Sequence, residues 1–147
     1  MSDLAELYQE IILDHNKRPR NYREIPSCTC CAEGRNPLCG DEVKVFVSLD
    51  GERLSDVAFQ GQGCAISRAS ASLMTGKTKG RTTAEARGIS GKVRDMLLGS
   101  EASPPPGLGD LAALSGVRKF PARIKCAMLP WRALEAALDG QRDVTTE

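Results

Sequence analysis

A chain of 147 residues, 41% of them hydrophobic and only 4% aromatic, suits one domain over residues 1–147 with a core of Leu, Ile, Val, Ala and Met. The 20 basic and 19 acidic residues leave a net charge of +1, which argues against a general nucleic-acid binder with its strong basic excess. No apolar run approaches the roughly 20 residues that span a bilayer, and the acidic, amphipathic opening Met1-Ser-Asp-Leu-Ala-Glu-Leu7 is unlike a secretory signal, so the expected location is the cytoplasm.

The first segment reads as a helix, with Leu4, Leu7, Tyr8, Ile11 and Ile12 at helical spacing and Ser2 or Asp3 as its cap. Asp3 and Glu6 lead it, Lys17 and Arg18 trail it as the helix dipole favours, and Pro19 ends it. Residues 19–40 read as a long loop holding three prolines and four cysteines, with room for a short strand between 25 and 35. Val43, Val45, Val47 and Leu49 then alternate with polar residues, the period of a half-buried strand. Asp50-Gly51 is a hairpin turn, and residues 54–60 return with Val57 and Phe59 on one face.

Residues 65–77, rich in Ala, Ser and Met, read as a helix that begins directly after Gly61-Gln-Gly63. That spacing puts the Cys64 thiol at a helix N-terminus, where the dipole favours thiolate. Thr82 or Thr83 opens another helix reaching about Leu98, and residues 100–109, with three consecutive prolines, form a loop. A short helix is expected at 110–115, and a last one from about Cys126 to Leu138, with a second cysteine at its start.

Six cysteines in a cytosolic chain point to metal or sulfur chemistry rather than disulfides. Cys39, Asp41, Cys64 and Cys126 together offer three thiols and a carboxylate, a complete ligand set for one tetrahedral zinc. The same thiols can hold sulfur or an iron–sulfur cluster. Gly40 between Cys39 and Asp41 permits a tight turn that aims both side chains at one ion. An oxygen ligand among sulfurs suits a site that exchanges ligands; the plainer roles are a turn residue for Asp41 and small buried hydrophobes for the thiols.

Arg118, Lys119, Arg123 and Lys125 precede Cys126 and can all be a solvated basic face. Arg123, three residues before Cys126, is also within reach of the site, where a guanidinium would stabilise a thiolate or persulfide. His15, the single histidine, is expected to cap the first helix or meet a partner rather than bind metal. Cys28-Thr-Cys-Cys31 contains a C-x-x-C spacing, which can be a second zinc site, half of a competing four-cysteine site with Cys64 and Cys126, a redox pair or a set of incidental loop thiols. The incidental reading is favoured because no second C-x-x-C follows.

The segments Leu7-Tyr8, Asp14-His15, Pro19-Arg-Asn21, Asn36-Pro37, Cys39-Gly-Asp41, Gly61-Gln-Gly-Cys64-Ala-Ile-Ser67, Ala69-Ser-Ala-Ser72 and residues 116–126, with Trp131, span nearly the whole chain. In them the chain resembles the SufU branch of the IscU/NifU N-terminal family. Lys125 stands where the scaffold branch carries a histidine, and the 98–119 region matches an insertion found in the SufU branch. The resemblance implies an α+β fold, a small antiparallel β-sheet packed against several helices. It implies zinc held by Cys39, Asp41, Cys64 and Cys126, with Cys39 as persulfide acceptor and Arg123 close by. In that family a desulfurase histidine takes the place of this cysteine on the zinc and frees its thiolate.

The implied role is to accept sulfur from a SufS-type cysteine desulfurase and pass it to a SufBCD-type scaffold complex. The alternatives are an IscU-type scaffold that carries a transient [2Fe–2S] cluster, and a zinc-stabilised interaction module without chemistry. Cys28, Cys30 and Cys31 depart from the family pattern.

Overall fold

The computed structural model describes residues 3–37, 40–99 and 107–145. Helix α1 (Asp3–Lys17) packs on helix α2 (Ala65–Thr78) and on a 3-10 segment (Gly109–Lys119). Ile11 and Ile12 reach the core as their spacing predicts, whereas Leu7 stays 51% exposed. Ser2, one of the two expected caps, lies outside the described residues.

The sheet has four strands in the order β3-β2-β1-β4: β1 (Cys30–Asn36), β2 (Asp41–Asp50), β3 (Arg53–Gln62) and β4 (Asp143–Thr145). The β2–β3 hairpin turns at Asp50-Gly51, with Asp50 opposite Arg53 and Gly51 in the left-handed region at φ +65°. Val43, Val45, Val47, Leu54, Val57 and Phe59 are buried on the core side.

Two features of the sheet differ from expectation. A full seven-residue strand, β1, occupies an inner position within the stretch read mainly as loop. Its sequence, Cys-Cys-Ala-Glu-Gly-Arg-Asn, has no β-branched or aromatic residue to announce it. The helix against it accounts for part of this: a Cβ on Gly34 would lie 3.1 Å from Leu129 Cδ1 and 3.4 Å from Ala133 Cβ, a tight fit that favours a residue without a side chain. The sheet is also mixed rather than wholly antiparallel. After the last helix the chain turns at Gly140 (φ +78°) and runs along the free edge of β1, parallel to it, pairing Glu33 with Asp143 and Arg35 with Thr145.

Helix α3 (Thr83–Leu98) is capped as its sequence indicates: Glu85 N–H donates to Thr82 Oγ1 at 3.1 Å, and Thr82 N–H to Glu85 Oε1 at 3.0 Å. The short helix expected at 110–115 is a longer 3-10 segment. Helix α4 (Pro121–Leu138) starts five residues earlier than expected, because Pro121 is well suited to open a helix. Cys126 therefore stands in the second turn, not at the helix start.

Helices α2 and α4 are joined through buried polar groups. Trp131 Nε1 donates to Ser70 Oγ at 3.1 Å, and that hydroxyl donates to the Ala127 carbonyl at 2.6 Å. The bonds fix α4 against α2 one turn beyond Cys126. No helix among the described residues is long and apolar enough to cross a membrane.

Candidate metal centre

Three elements bring Asp41, Cys64 and Cys126 together. Asp41 opens β2, Cys64 is the N-cap of α2, and Cys126 projects from α4. One ligand atom from each lies within 4.8 Å of the other two. Asp41 is 2% exposed and Cys126 1%, while Cys64 is half-buried.

Local backbone geometry sets each side chain. Asp41 Oδ1 accepts the Cys64 backbone N–H at 2.9 Å, and the Cys64 thiol donates to Asp41 Oδ2 at 3.5 Å. The Cys64 sulfur accepts the Ser67 N–H at 3.4 Å, the bond of an N-cap. The sulfur thus already receives one of the unpaired N–H groups at the start of α2. Cys126 Sγ lies 3.9 Å from the Ala122 carbonyl oxygen.

Glycine makes this convergence possible at two points. A Cβ on Gly63 would meet Asp41 Oδ1 at 2.9 Å, and one on Gly61 (φ +153°) would meet the Glu42 carbonyl at 2.2 Å. Gly40 adopts φ +76°, the left-handed conformation its position between Cys39 and Asp41 suggests, and donates its N–H to the Asn36 carbonyl at 2.9 Å. Asn36 itself is buried beside the site, opposite Asp41 in the strand register. Cys39, the fourth candidate ligand, lies outside the described residues.

Of the four basic residues before Cys126, Arg123 is the one whose guanidinium engages the thiols. The Cys64 charge acts first, then hydrogen bonds to Cys126 and Cys64, and these hold the Arg123 pKa above its ordinary value. Arg118 instead donates to the Gly99 carbonyl at 2.7 Å, closing the 3-10 segment onto the end of α3. His15 is structural: its Nδ1 lies 2.7 Å from Ser72 Oγ on α2, and that hydroxyl also accepts the Arg20 N–H at 2.8 Å. Burial, with help from the Arg20 charge, lowers the His15 pKa.

The donor set fits a soft, tetrahedral ion. Two sulfurs and a carboxylate oxygen match the ligand types of zinc, and ligands about 2.0–2.3 Å from one ion stand roughly 3.5–3.8 Å from each other, inside the observed spread.

An antiparallel hairpin extended by a third strand, with a Cys/Asp centre where one end of the sheet meets two helices, is the architecture of a known family. Residues 7–138 match the NifU-like N-terminal domain, and the chain belongs to that family. It is 45% identical over 134 residues to the zinc-dependent sulfurtransferase SufU of Bacillus subtilis (strain 168), covering 91% of this chain and 90% of that one. It is 38% identical over 138 residues to the iron–sulfur cluster assembly scaffold protein IscU of Streptococcus pyogenes serotype M1, covering 94% and 86%. The crystal structure of a candidate SUF-system scaffold from Fervidobacterium islandicum AW-1 superposes with a TM-score of 0.83 at 36% identity, over 90% of this chain and 97% of that one.

Proposed function

We propose that the chain, acting as one domain in the cytoplasm, is a zinc-dependent sulfur carrier of iron–sulfur cluster assembly. In this reading Cys39, Asp41, Cys64 and Cys126 hold zinc. Cys39 takes sulfur from the persulfide of a SufS-type cysteine desulfurase and passes it to a SufBCD-type scaffold complex. The meeting of Asp41, Cys64 and Cys126 from three separate elements carries the reading. Zinc bound there would keep its thiol ligands deprotonated at neutral pH.

The chain's own residues have distinct tasks. Asp41 anchors the start of α2 through the Cys64 N–H while it offers its second oxygen to the site. Arg123 lies against the thiols and would balance the negative charge of a thiolate or persulfide. In the transfer step the Cys39 thiolate attacks the outer sulfur of the donor persulfide. The donor S–S bond breaks, the donor cysteine leaves as thiolate, and the new persulfide remains on Cys39. Phe120, 61% exposed, accepts the Arg123 N–H at its carbonyl at 2.8 Å and supplies apolar surface for a protein donor next to that arginine.

The deciding experiment measures alanine release from cysteine by a SufS-type desulfurase, with and without the zinc-loaded chain, under reductant. Strong stimulation that disappears in Cys39→Ala is expected. A well-folded, zinc-loaded sample that gives no stimulation would favour a scaffold for nascent [2Fe–2S] clusters. That second reading draws on the 38% identity to a protein named as a scaffold and on the same thiols. Lys125, in the place of the scaffold branch's histidine, favours transfer.

A further inference from the structure

Cys28, Cys30 and Cys31 lie at the far end of β1 from the metal centre. The register pairs Cys31 with Phe46 at one end and Asn36 with Asp41 at the other. Five steps along the strand lead from Cys31 to Asn36, about 17 Å at ~3.3 Å per step. The three thiols therefore form no relay within one chain to Asp41, Cys64 or Cys126.

The strand's twofold alternation also divides the three. Cys30 faces the main core with Ala32 and Gly34, whereas Cys31 turns to the other face of the sheet and packs with Cys28 against Ile25, Phe46 and Ala58. Among the described residues, Asp41, Cys64 and Cys126 are the one group of three or more metal-ligating side chains that converge, so these three thiols do not make a second zinc centre. Cys28 and Cys31, by contrast, share one face of the sheet and pack against the same small apolar cluster. All three cysteines are free, and these residues border a groove of about 540 Å³ with Lys44, Gln141 and Arg142.

We propose that Cys28 and Cys31 form a second thiol site, a redox pair that a low-molecular-weight disulfide such as oxidised glutathione converts to a Cys28–Cys31 disulfide. One thiolate of the pair attacks a glutathione sulfur, the glutathione S–S bond breaks, and glutathione leaves as its thiolate. The partner thiol then loses its proton and attacks the protein sulfur of the mixed disulfide, releasing the second glutathione. Two protein thiols are oxidised to one disulfide and one glutathione disulfide is reduced to two thiols. A reducing dithiol reverses the exchange.

Both cysteines can approach. Cys28 belongs to a turn closed by its N–H on the Ile25 carbonyl at 3.1 Å, outside the strand, so its backbone is free to adjust while Cys31 stays in the ladder. Cys30 is excluded because its side chain is on the wrong face. Burial first, then the Cys31 hydrogen bond and charge, raise the Cys28 pKa. The Cys28 thiol thus rests protonated, and its oxidation accelerates as pH rises.

The test uses the zinc-loaded full chain incubated with oxidised glutathione at pH 8. Free thiols are blocked with N-ethylmaleimide, disulfides are reduced, the released thiols take a second label, and fragment-ion mass spectrometry reads each cysteine. Cys28 and Cys31 should carry the second label and Cys30 the first, with zinc still bound. Cys30→Ser should close as wild type does, while Cys31→Ser should stop as a glutathione adduct on Cys28. A disulfide that includes Cys30, persistent glutathione adducts in the wild type, or no oxidation of Cys28 and Cys31 would each overturn the proposal.

Discussion

The Asp41 carboxylate accepts the Cys64 backbone N–H at 2.9 Å through one oxygen and receives the Cys64 thiol at 3.5 Å through the other. One side chain thus fixes the start of α2 and belongs to the candidate donor set. Asp41→Ala is expected to weaken zinc binding by about tenfold or more, and to loosen the N-terminus of α2. Asp41→Asn keeps an oxygen for the N–H but loses the charge, so it should retain the helix start and still bind zinc more weakly. Competition against a chromophoric chelator checks both. Wild-type affinity in Asp41→Ala would remove Asp41 from the ligand set.

Gly63 tests the same geometry without touching a ligand. Its missing Cβ would stand 2.9 Å from Asp41 Oδ1 and 3.1 Å from Asp41 Cγ. Gly63→Ala must push the buried carboxylate away from Cys64, at a cost of about 1–3 kcal/mol typical of overpacking. Zinc affinity is expected to fall although every donor remains. An alanine variant with unchanged affinity and unchanged melting temperature would mean the carboxylate moves freely, against its burial and its 2.9 Å bond.

How far this site is legible in the sequence depends on the kind of signal each part needs. Cys64 at a helix start follows from Gly61-Gln-Gly63 and the Ala/Ser-rich run after it, and the hairpin follows from alternating valines and Asp50-Gly51. The Thr82 cap with Glu85 three residues on is equally local. Strand β1 is not, because its inward residues are chosen for closeness to α4 rather than for β-propensity: Ala32 is buried and Gly34 faces Leu129 and Ala133. The parallel strand β4 depends on where α4 delivers the chain, a relation no local pattern carries. The early start of α4 was signalled by Pro121, but the cysteine drew the boundary to itself. Gly63 as a spacer beneath Asp41 becomes visible only when two distant segments meet.

Arg123 separates metal binding from sulfur acceptance. Its guanidinium engages the Cys64 and Cys126 thiols and supplies no metal ligand. Arg123→Ala is expected to slow sulfur acceptance on the order of tenfold while zinc affinity stays within a few-fold of wild type. Arg123→Lys restores charge without the planar fork and should recover only part of the rate. Desulfurase stimulation and the chelator competition read the two properties independently. An unchanged rate in Arg123→Ala would return this arginine to the solvated basic face with Lys119 and Lys125.

His15 gives the fold a pH dependence of known sign. It sits partly buried with Nδ1 2.7 Å from Ser72 Oγ, and burial, then the Arg20 charge, lower its pKa from the ordinary 6.5, against smaller opposing effects of Asp14 and Asp110. The folded chain therefore binds fewer protons than the unfolded chain just below pH 6.5, so stability rises with pH through that window. The contribution is fully present above 6.5. It is lost as pH falls from 6.5 towards the lowered folded value, where the imidazolium at last forms and the loss levels off. Protonation there sets a cation beside Arg20, which should loosen α1 from α2. Urea unfolding of wild type and His15→Gln between pH 5 and 8, both zinc-loaded, isolates the effect from any protonation of the metal ligands, since those are common to the two chains. The stability difference between them should change across pH 5–6.5 and stay constant above it. A difference that is flat over the whole range would mean that His15 titrates alike in the folded and unfolded chains.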